Sequence, residues 1–442
     1  MSAGIRHLAI VAGGKGSRMG PAFEGLPKAL IPIGGKPVLQ HQLELAAGAG
    51  VTEVSLFAGH LADRIAGFVG DGSRFGLKVR LHAEPKPLGN AGAVLAALDD
   101  LPEQLFVLYG DVMAAVDLKR LAAFHLERGA DFTTLAHPND HPADSDLLEV
   151  DADDRVTAVR PYPHPPGAWF SNLVNAALYA VRRDALRALP LEGAADFSKD
   201  VMPGLIGAGA KVLAWRSGDY IKDMGAPGRL ERVEADFRAG RIRLPAPGRG
   251  RKAVFLDRDG TLNVERQFLS RAEDFELLPG AGEALRRLRR AGYMLVLVTN
   301  QPVIARGEAS EADVARIHQR LEWELGEAGA FLDAIYLCPH HPDAGFPGER
   351  RELKVACDCR KPATGLVDRA CRDLGIDPTS SWMVGDQTRD IEMARRAGLR
   401  SVLVRTGLAG RDGAFERRPD AEAANIAEAA ELIVRSHAVA AA

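Results

Sequence analysis

The sequence has few cysteines, no long apolar run and almost no net charge. Four cysteines in 442 residues are too few for a disulfide framework. No apolar run approaches the roughly 20 residues that span a membrane, and no secretory signal precedes the first predicted strand. A net charge of −3 and 6% aromatic residues do not provide the basic, aromatic-interleaved surface of a nucleic-acid-binding protein. These absences favour a cytoplasmic protein without a membrane or nucleic-acid partner.

Hydrophobic residues make up 46% of the sequence, which is enough for two separate cores. Strand-like apolar runs alternate with helical patterns through both halves, as in residues 51–58 and 61–69. This alternation predicts an α/β fold of two doubly wound three-layer sandwiches in series, with ligands at the carboxyl ends of the strands. Residues 241–251 are rich in Pro, Gly and Arg, which discourages a continued helix. We therefore predict domains at residues 1–240 and 252–435, joined by this linker.

A short polar segment of the C-terminal half carries three cysteines and a histidine. These residues are Cys338, His340, Cys357 and Cys359. Zn²⁺ prefers thiolate and imidazole ligands, and two such pairs can close a tetrahedron with no open position. The alternative of ordinary buried thiols fits the polar surroundings poorly, whereas Cys371 falls on a predicted helix and is expected in the core. The segment therefore predicts a structural zinc site that shapes a loop.

Polar side chains follow three apolar, strand-like runs around this segment. Asp257 and Asp259 follow residues 252–256, Thr299 and Asn300 follow residues 293–298, Arg360 and Lys361 follow the last cysteine, and Asp386 and Asp390 follow residues 381–384. Phosphoryl transfer through an enzyme aspartate requires a nucleophile, a proton donor, a divalent cation and groups that hold the phosphate oxygens. Asp257 and Asp259 suit the first two roles. Together with Asp386 they form an oxygen cage suited to Mg²⁺.

In this order the motifs resemble the haloacid dehalogenase superfamily, subclass IIIA, over residues 252–410. The closer resemblance is to its D-glycero-D-manno-heptose-1,7-bisphosphate 7-phosphatase group, which carries a zinc loop in place of a cap domain. The resemblance implies that Asp257 is the nucleophile and Asp259 the general acid and base. It also implies that Thr299 and Lys361 hold the phosphate and that Asp386 binds Mg²⁺.

Residues 300–307 are similar to the motif N-Q-S-G-I-A-R-G of this group, with Pro302 and Val303 as departures. The similarity implies that Asn300 and Arg306, together with Arg360, contact the substrate. The segment between His340 and Cys357 is longer than usual for the group. Histidinol-phosphate phosphatases share these motifs and are the alternative.

The N-terminal half contains a glycine-rich loop after its first predicted strand. Its glycines are Gly13, Gly14 and Gly16, and its basic residues are Arg18 and, further along, Lys28. Glycines let backbone N–H groups approach a triphosphate, and the basic side chains offset its charge. The loop is not a P-loop, because no G-K-[ST] closes it. Asp111 and Asp223 follow later predicted strands, and we predict that they share a Mg²⁺ ion that bridges the nucleotide and a sugar phosphate.

Together these features resemble the sugar-1-phosphate nucleotidyltransferases over residues 5–240. The segment around Gly89 is similar to the family's nucleobase and phosphate loop, with Asn90 where Thr is usual. Asn175 begins an N-A-A-x-Y segment similar to the sugar-contacting N-A-G-x-Y, with Ala177 in place of Gly.

The family's E-K-P motif is replaced here by Val159-Arg160-Pro161. Its lysine contacts the sugar phosphate, so Lys199 or Lys222 is expected to substitute for it.

The two halves in one chain resemble bifunctional heptose-pathway proteins, in which a heptose-1-phosphate guanylyltransferase accompanies the phosphatase. The resemblance implies loss of the 7-phosphate of a heptose 1,7-bisphosphate and then transfer of GMP from GTP to the heptose 1-phosphate. It implies Mg²⁺ in both sites. Two alternatives concern the N-terminal half, which would act on mannose 1-phosphate or another sugar 1-phosphate, or would sense a nucleotide sugar without turnover. A third is fusion to a histidinol-phosphate-type phosphatase.

Overall fold

The computed structural model describes residues 4–14, 25–59, 61–84, 86–244, 250–416 and 418–440. Its contacts divide the chain into two compact units. The first comprises Met1–His137, Asp146–Tyr162 and Leu173–Leu244, and the second comprises Pro138–Ser145, Pro163–Asn172 and Pro245–Ala442. Two short segments from the N-terminal half of the sequence thus belong to the second unit.

The first unit contains thirteen strands and seven α-helices in the described residues. The strands are β1 (His7–Val11), β2 (Pro32–Ile33), β3 (Lys36–Pro37), β4 (Glu53–Ala58), β5 (Lys78–Ala83), β6 (Gln104–Tyr109), β7 (Val112–Ala115), β8 (Phe132–His137), β9 (Leu147–Val150), β10 (Val156–Arg160), β11 (Val174–Arg182), β12 (Val212–Arg216) and β13 (Tyr220–Asp223). The helices are α1 (Val38–Ala49), α2 (Ala62–Val69), α3 (Gly89–Ala96), α4 (Leu118–Glu127), α5 (Arg183–Arg187), α6 (Met202–Gly207) and α7 (Pro227–Arg238).

The main sheet of this unit has nine strands and is mixed. Its central path runs β10-β9-β11-β6-β1-β4-β5, and β8 joins β11 to β12. Strands β6, β1, β4 and β5 are parallel, as the alternation of strands and helices predicts. Strand β11 is antiparallel to β6 and to β8, so half of the sheet departs from a purely parallel arrangement. A separate two-stranded ribbon pairs β13 with β7.

The second unit is built on a six-stranded parallel sheet in the order β16-β15-β14-β17-β18-β19. The strands are β14 (Ala253–Leu256), β15 (Met294–Asn300), β16 (Ala334–Cys338), β17 (Trp382–Gly385), β18 (Arg400–Val404) and β19 (Ala421–Ala423). The helices are α8 (Ala281–Arg290), α9 (Pro302–Ala305), α10 (Glu311–Glu327), α11 (Gly365–Leu374), α12 (Thr388–Ala397) and α13 (Ile426–Ala440). The strand order reverses at β14, and such a switch point opens a crevice at the carboxyl ends of the neighbouring strands.

Both faces of each sheet are covered by hydrophobic clusters. Leu8 of β1 packs into one cluster and Ala9 into another, since successive strand residues point to opposite faces. Val254 and Phe255 of β14 divide in the same way between two clusters. These buried faces confirm the α/β class with layered sheets. Within the described residues, no helix combines the length and apolarity needed to cross a membrane.

Candidate active sites

Three buried aspartates meet at the switch point of the second unit. Asp257 directly follows β14, and Asp386 directly follows the neighbouring β17. Asp390 lies in the first turn of α12, where it forms a capping box with Gln387. One carboxylate oxygen from each of the three aspartates lies within 4.8 Å of those of the other two. The parallel sheet therefore gathers carboxylates that are far apart in the sequence.

Lys361 is the cation of this group. Its Nζ lies 2.7 Å from Oδ1 of Asp257 and 2.7 Å from Oδ1 of Asp390, and the residue is 3% exposed. Burial raises the pKa of Asp257 to about 7, although the Lys361 charge opposes that rise. Burial and the neighbouring Asp257 raise the pKa of Asp386 to about 9. The single positive charge of Lys361 therefore does not neutralise the three carboxylates.

The donor set fits a hard divalent cation. Oδ1 of Asp386 is buried and forms no hydrogen bond within the described part of the chain, whereas Oδ1 of Asp390 is paired with Lys361 Nζ. Buried polar atoms rarely lack a partner, and a bound cation would supply one for Asp386 Oδ1. Carboxylate oxygens are the ligands that Mg²⁺ prefers.

The carboxylate of Asp259 is not part of this group. Its Oδ2 accepts hydrogen bonds from Arg258 Nη2 at 2.9 Å and from Gln301 Nε2 at 3.0 Å, and its Oδ1 accepts one from Asn263 Nδ2 at 3.0 Å. Burial acts to raise the pKa of Asp259, but the Arg258 guanidinium and these hydrogen bonds bring it below the ordinary value. The structure therefore brings Asp390, rather than the Asp259 side chain, beside Asp257 and Asp386.

Thr299 and Asn300 end β15 beside the aspartates. Thr299 is buried, and its Oγ1 accepts a hydrogen bond from Gln301 Nε2 at 2.8 Å. Asn300 holds the backbone of Lys361, because its Oδ1 accepts from the Lys361 N–H at 3.0 Å and its Nδ2 donates to the Lys361 carbonyl at 3.3 Å. Asn300 therefore positions the lysine that contacts Asp257.

Arg306 is held by aromatic rings and one carboxylate. Its guanidinium carbon lies 3.9 Å from the ring centre of Phe268 and 4.2 Å from that of Phe346, and its Nε lies 2.7 Å from Glu308 Oε1. Phe346 belongs to the long segment between His340 and Cys357. That segment thus reaches the arginine that the sequence assigns to substrate binding.

The four predicted zinc ligands converge. Cys338 Sγ lies 3.1 Å from Cys359 Sγ and 3.6 Å from Cys357 Sγ, and His340 Nδ1 lies 3.3 Å from Cys359 Sγ. Sulfur atoms around a tetrahedral Zn²⁺ would be about 3.8 Å apart, because Zn–S bonds are about 2.3 Å long. All four ligand atoms lie within 4.8 Å of one another, so they can form a Cys/His metal site. Arg360, directly after the last ligand, donates from Nη1 to the His340 carbonyl at 3.1 Å.

The glycine-rich loop of the first unit follows β1. A Cβ on Gly13 would lie 2.5 Å from Glu84 Oε1, so a side chain there would displace the Glu84 carboxylate. Gly14 follows it, whereas Gly16 and Arg18 lie outside the described residues. Further along the chain, Lys28 donates from Nζ to Asp111 Oδ2 at 3.1 Å.

The β13-β7 ribbon brings the two predicted metal carboxylates together. Asp223 pairs in register with Val112, the residue after Asp111, and the Met224 N–H donates to the Asp111 carbonyl at 2.9 Å. Asp223 also accepts a hydrogen bond from Arg229 Nη1 at 2.7 Å. A Cβ placed on Gly225 would lie 3.2 Å from Asp223 Oδ1 and 3.9 Å from Lys28 Nζ. Lys28 Nζ and Asp223 Oδ1 thus both lie near Gly225, and Lys28 also contacts Asp111.

The predicted sugar-contacting residues lie on β11 and near α3. Asn175 accepts from Thr134 Oγ1 at 2.8 Å and donates to Ser198 Oγ at 2.7 Å. The strand bulges directly after it, where Ala177 adopts a left-handed φ of 56° at the position where the family has glycine. Gly89 has a φ of 74°, and a Cβ there would lie 2.4 Å from the Ala195 carbonyl oxygen.

Asn90, which replaces the usual Thr, ties this loop to the segment before α6. Its Nδ2 donates to Asp196 Oδ2 at 2.6 Å, and its Oδ1 accepts from the Phe197 N–H at 2.8 Å. Three basic residues bear on the predicted sugar-phosphate contact. Arg160, in the segment that replaces the E-K-P motif, forms an ion pair with Glu149 at 2.8 Å. Lys199 is exposed in the turn capped by Asp196, and Lys222 lies on β13. Lys222 is therefore the candidate on the ribbon that carries Asp223.

Comparison with known proteins separates the same two parts of the chain. Residues 8–239 match the nucleotidyl transferase family, and residues 358–429 match the HAD-hydrolase-like family. The D-glycero-beta-D-manno-heptose-1,7-bisphosphate 7-phosphatase of Haemophilus ducreyi is 48% identical over 162 residues, which cover 36% of this chain and 86% of that protein. The protein of the same name from Escherichia coli K12 is 43% identical over 156 residues, covering 35% and 80%.

Two solved structures are similar to parts of the chain. HddC from Yersinia pseudotuberculosis is 22% identical with a TM-score of 0.46, and the match covers 53% of this chain and 100% of that chain. The D,D-heptose 1,7-bisphosphate phosphatase from B. bronchiseptica is 33% identical with a TM-score of 0.37, covering 42% and 99%.

Proposed function

We propose that this chain performs two successive steps of nucleotide-activated heptose synthesis. The premise is that its N-terminal half belongs to the nucleotidyl transferase family and its C-terminal half to the heptose-1,7-bisphosphate 7-phosphatase family. The C-terminal unit removes the 7-phosphate of D-glycero-D-manno-heptose 1,7-bisphosphate. The N-terminal unit transfers a nucleotidyl group, GMP from GTP, to the resulting heptose 1-phosphate. The buried contact between Asp257 and Lys361 supports the first assignment, because the proposed nucleophile lies beside the proposed phosphate-binding cation.

In the phosphatase step, the Asp257 carboxylate attacks phosphorus in line and forms an aspartyl phosphate, while the bond to the sugar oxygen breaks. Lys361 and the Thr299 hydroxyl hold the other phosphate oxygens. Asp259 protonates the leaving sugar oxygen, which requires its carboxylate first to leave Arg258 and Gln301, whose contacts lower its pKa, and to take up a proton from solvent. Water then hydrolyses the aspartyl phosphate, with Asp259 as the base, and inorganic phosphate is released.

We propose Mg²⁺ for this site, held by Asp257 and Asp386 with Asp390 beside them. When bound, it supplies the positive charge that lets an anionic nucleophile approach a phosphate. The sequence also assigns Asp259 to this ion, but the Asp259 carboxylate accepts hydrogen bonds from Arg258, Gln301 and Asn263. For the Cys/His site we propose structural Zn²⁺, because three thiolates and one imidazole are its usual ligands.

In the transferase step, an oxygen of the heptose 1-phosphate attacks the α-phosphorus of the nucleoside triphosphate, and pyrophosphate leaves. Asp111 and Asp223 are the proposed Mg²⁺ ligands, and Lys28 offsets phosphate charge beside them. Gly13 and Gly14, with Gly16 and Arg18 as sequence-based assignments, bind the triphosphate. Gly89, Asn175 and Lys222 are assigned to the nucleotide and sugar.

Cys357→Ser tests the metal loop. The purified protein should contain about one tightly bound Zn²⁺ per chain, and the variant should lose it, because serine is a poor ligand for Zn²⁺. Since the last ligand, Cys359, immediately precedes Arg360 and Lys361, the phosphatase rate should fall roughly 10-fold or more, and added Mg²⁺ should not restore it. Metal analysis and phosphate release measure the two effects.

Cys371→Ser is the matched control, because Cys371 lies on α11 outside the metal cluster. It should keep both the zinc and the activity. Full phosphatase activity in a zinc-free protein would show that the cluster does not support the site.

A substrate panel tests the proposed function as a whole. Phosphate release should be fastest with one anomer of heptose 1,7-bisphosphate and much slower with histidinol phosphate. Heptose 1-phosphate should yield pyrophosphate with GTP in preference to ATP, CTP or UTP. Preference for histidinol phosphate, or absence of pyrophosphate with all four nucleotides, would refute the corresponding half of the proposal.

A further inference from the structure

The second unit contains a cavity of about 360 Å³ beside the aspartate cluster. Arg360, Lys361 and Arg389 line it together with apolar residues that include Val355 and Phe415. Cavities of this size accommodate small metabolites. The cavity therefore offers space for a sugar phosphate next to the lysine that contacts the nucleophile.

The charged side chains that line the cavity are all cationic. Among the described residues that form its wall, none is acidic. Arg360 and Arg389 both line the cavity, and neither faces a carboxylate in that wall. The two guanidinium groups therefore repel each other across the cavity, and an anion between them would relieve that repulsion.

Arg389 has unused hydrogen-bonding capacity. Its Nε is buried without a hydrogen-bond partner within the described part of the chain. The nearest carboxylate, Asp412, lies 3.9 Å from that Nε and already accepts hydrogen bonds from the Thr388 N–H at 2.8 Å and Oγ1 at 2.7 Å. Arg389 thus faces the cavity with a charge that Asp412 only partly compensates.

Both arginines are chain neighbours of residues in the aspartate cluster. Arg360 precedes Lys361, and Arg389 precedes Asp390, whose Oδ1 lies 2.7 Å from Lys361 Nζ. Successive residues of a helix point about 100° apart, so Arg389 diverges from the inward-facing Asp390. Arg360 and Arg389 are consequently adjacent to the aspartate cluster along the chain, and both line the cavity beside it.

We propose that this cavity is a subsite for the second, non-reacting phosphate of the bisphosphate, held between Arg360 and Arg389. Guanidinium groups bind phosphate through paired hydrogen bonds, which orient as well as attract it. Arg360 is already anchored to the His340 carbonyl, so the metal loop sets the position of one side of the subsite. Arg389 is then the specificity-determining residue that distinguishes a bisphosphate from a monophosphate. This inference rests on the proposed phosphatase function.

Arg389→Gln tests the subsite. The wild-type protein and the variant are compared on heptose 1,7-bisphosphate and on heptose 7-phosphate, which lacks the distal phosphate. Loss of one charge-assisted contact should lower kcat/KM for the bisphosphate roughly 10- to 100-fold, mainly through KM. The decrease in kcat/KM for heptose 7-phosphate should be much smaller. The ratio of kcat/KM for the bisphosphate to kcat/KM for heptose 7-phosphate should therefore fall. Arg389→Lys, which keeps the charge, should retain part of that ratio.

Arg395→Gln is the matched control on the same helix. Arg395 pairs with Glu392 at 2.8 Å, its side chain is 71% exposed, and it does not line the cavity. This variant should keep the wild-type ratio. An active wild-type enzyme whose ratio is unchanged in Arg389→Gln, or a variant that loses both substrates equally, would overturn the subsite. A wild-type enzyme that does not hydrolyse the bisphosphate would instead refute the proposed function itself.

Discussion

Asp257→Asn should abolish phosphate release from heptose 1,7-bisphosphate, with a loss of at least roughly 10³-fold. An amide of the same shape cannot form the aspartyl phosphate, although it preserves the packing around Lys361. Nucleotidyl transfer from supplied heptose 1-phosphate should persist, because its residues belong to the other unit. Phosphate release and pyrophosphate release, measured on the same preparation, give the two rates.

Asp368→Asn provides the control for this change. Asp368 is exposed on α11, where it accepts a hydrogen bond from Thr364 Oγ1 at 2.8 Å. It should leave both rates unchanged. Retention of the phosphatase rate in Asp257→Asn would remove Asp257 as the nucleophile.

Asp111→Ala and Asp223→Ala should each collapse nucleotidyl transfer, by roughly 10²-fold or more. Each change removes a proposed Mg²⁺ ligand, so the charge of the triphosphate is no longer offset where the sugar phosphate attacks. It also removes a carboxylate that pairs with Lys28 or with Arg229. Phosphate release from the bisphosphate should continue at the wild-type rate.

Asp99→Ala is the control in the same unit, since its side chain is fully exposed and pairs only at the surface with Arg187 at 2.6 Å. It should change neither activity. Parallel loss of both activities in Asp111→Ala would indicate misfolding or a shared site, and in a variant that remains folded it would contradict two separate active sites.

Much of the phosphatase site could be predicted from the sequence, because its side chains directly follow short apolar strands. Asp257 and Thr299 come from adjacent parallel strands, and the carboxyl ends of such strands must meet. The family match and the curated relatives confirm the resemblances that these motifs suggested. The individual site assignments stay predictions for the experiments above.

The conformation of Asp259 could not be predicted from local sequence. Its carboxylate is turned to Arg258 by hydrogen bonds from Gln301 and Asn263, and that choice depends on partners brought together by the sheet. Asp390 could be identified from the sequence, because it follows Asp386 by four residues. Its contact with Lys361 depends on the rotation of α12, which the spacing alone does not define.

The sequence pattern also did not predict the antiparallel half of the first sheet. Strand–helix alternation indicates parallel pairing, whereas β11 pairs antiparallel with both β6 and β8 through long-range contacts. The left-handed φ of Ala177 could not be predicted either. A glycine at this position would have indicated such a conformation, whereas alanine does not.

A coupled reaction followed by ³¹P NMR tests the central claim most directly. Pure protein is mixed with heptose 1,7-bisphosphate, GTP and Mg²⁺. The proposed function predicts equal amounts of inorganic phosphate, pyrophosphate and GDP-heptose, and it predicts that Asp257→Asn stops all three from the bisphosphate but not pyrophosphate from heptose 1-phosphate. A nucleotide sugar that still carries the 7-phosphate, or its formation without release of inorganic phosphate, would contradict the order of the two steps.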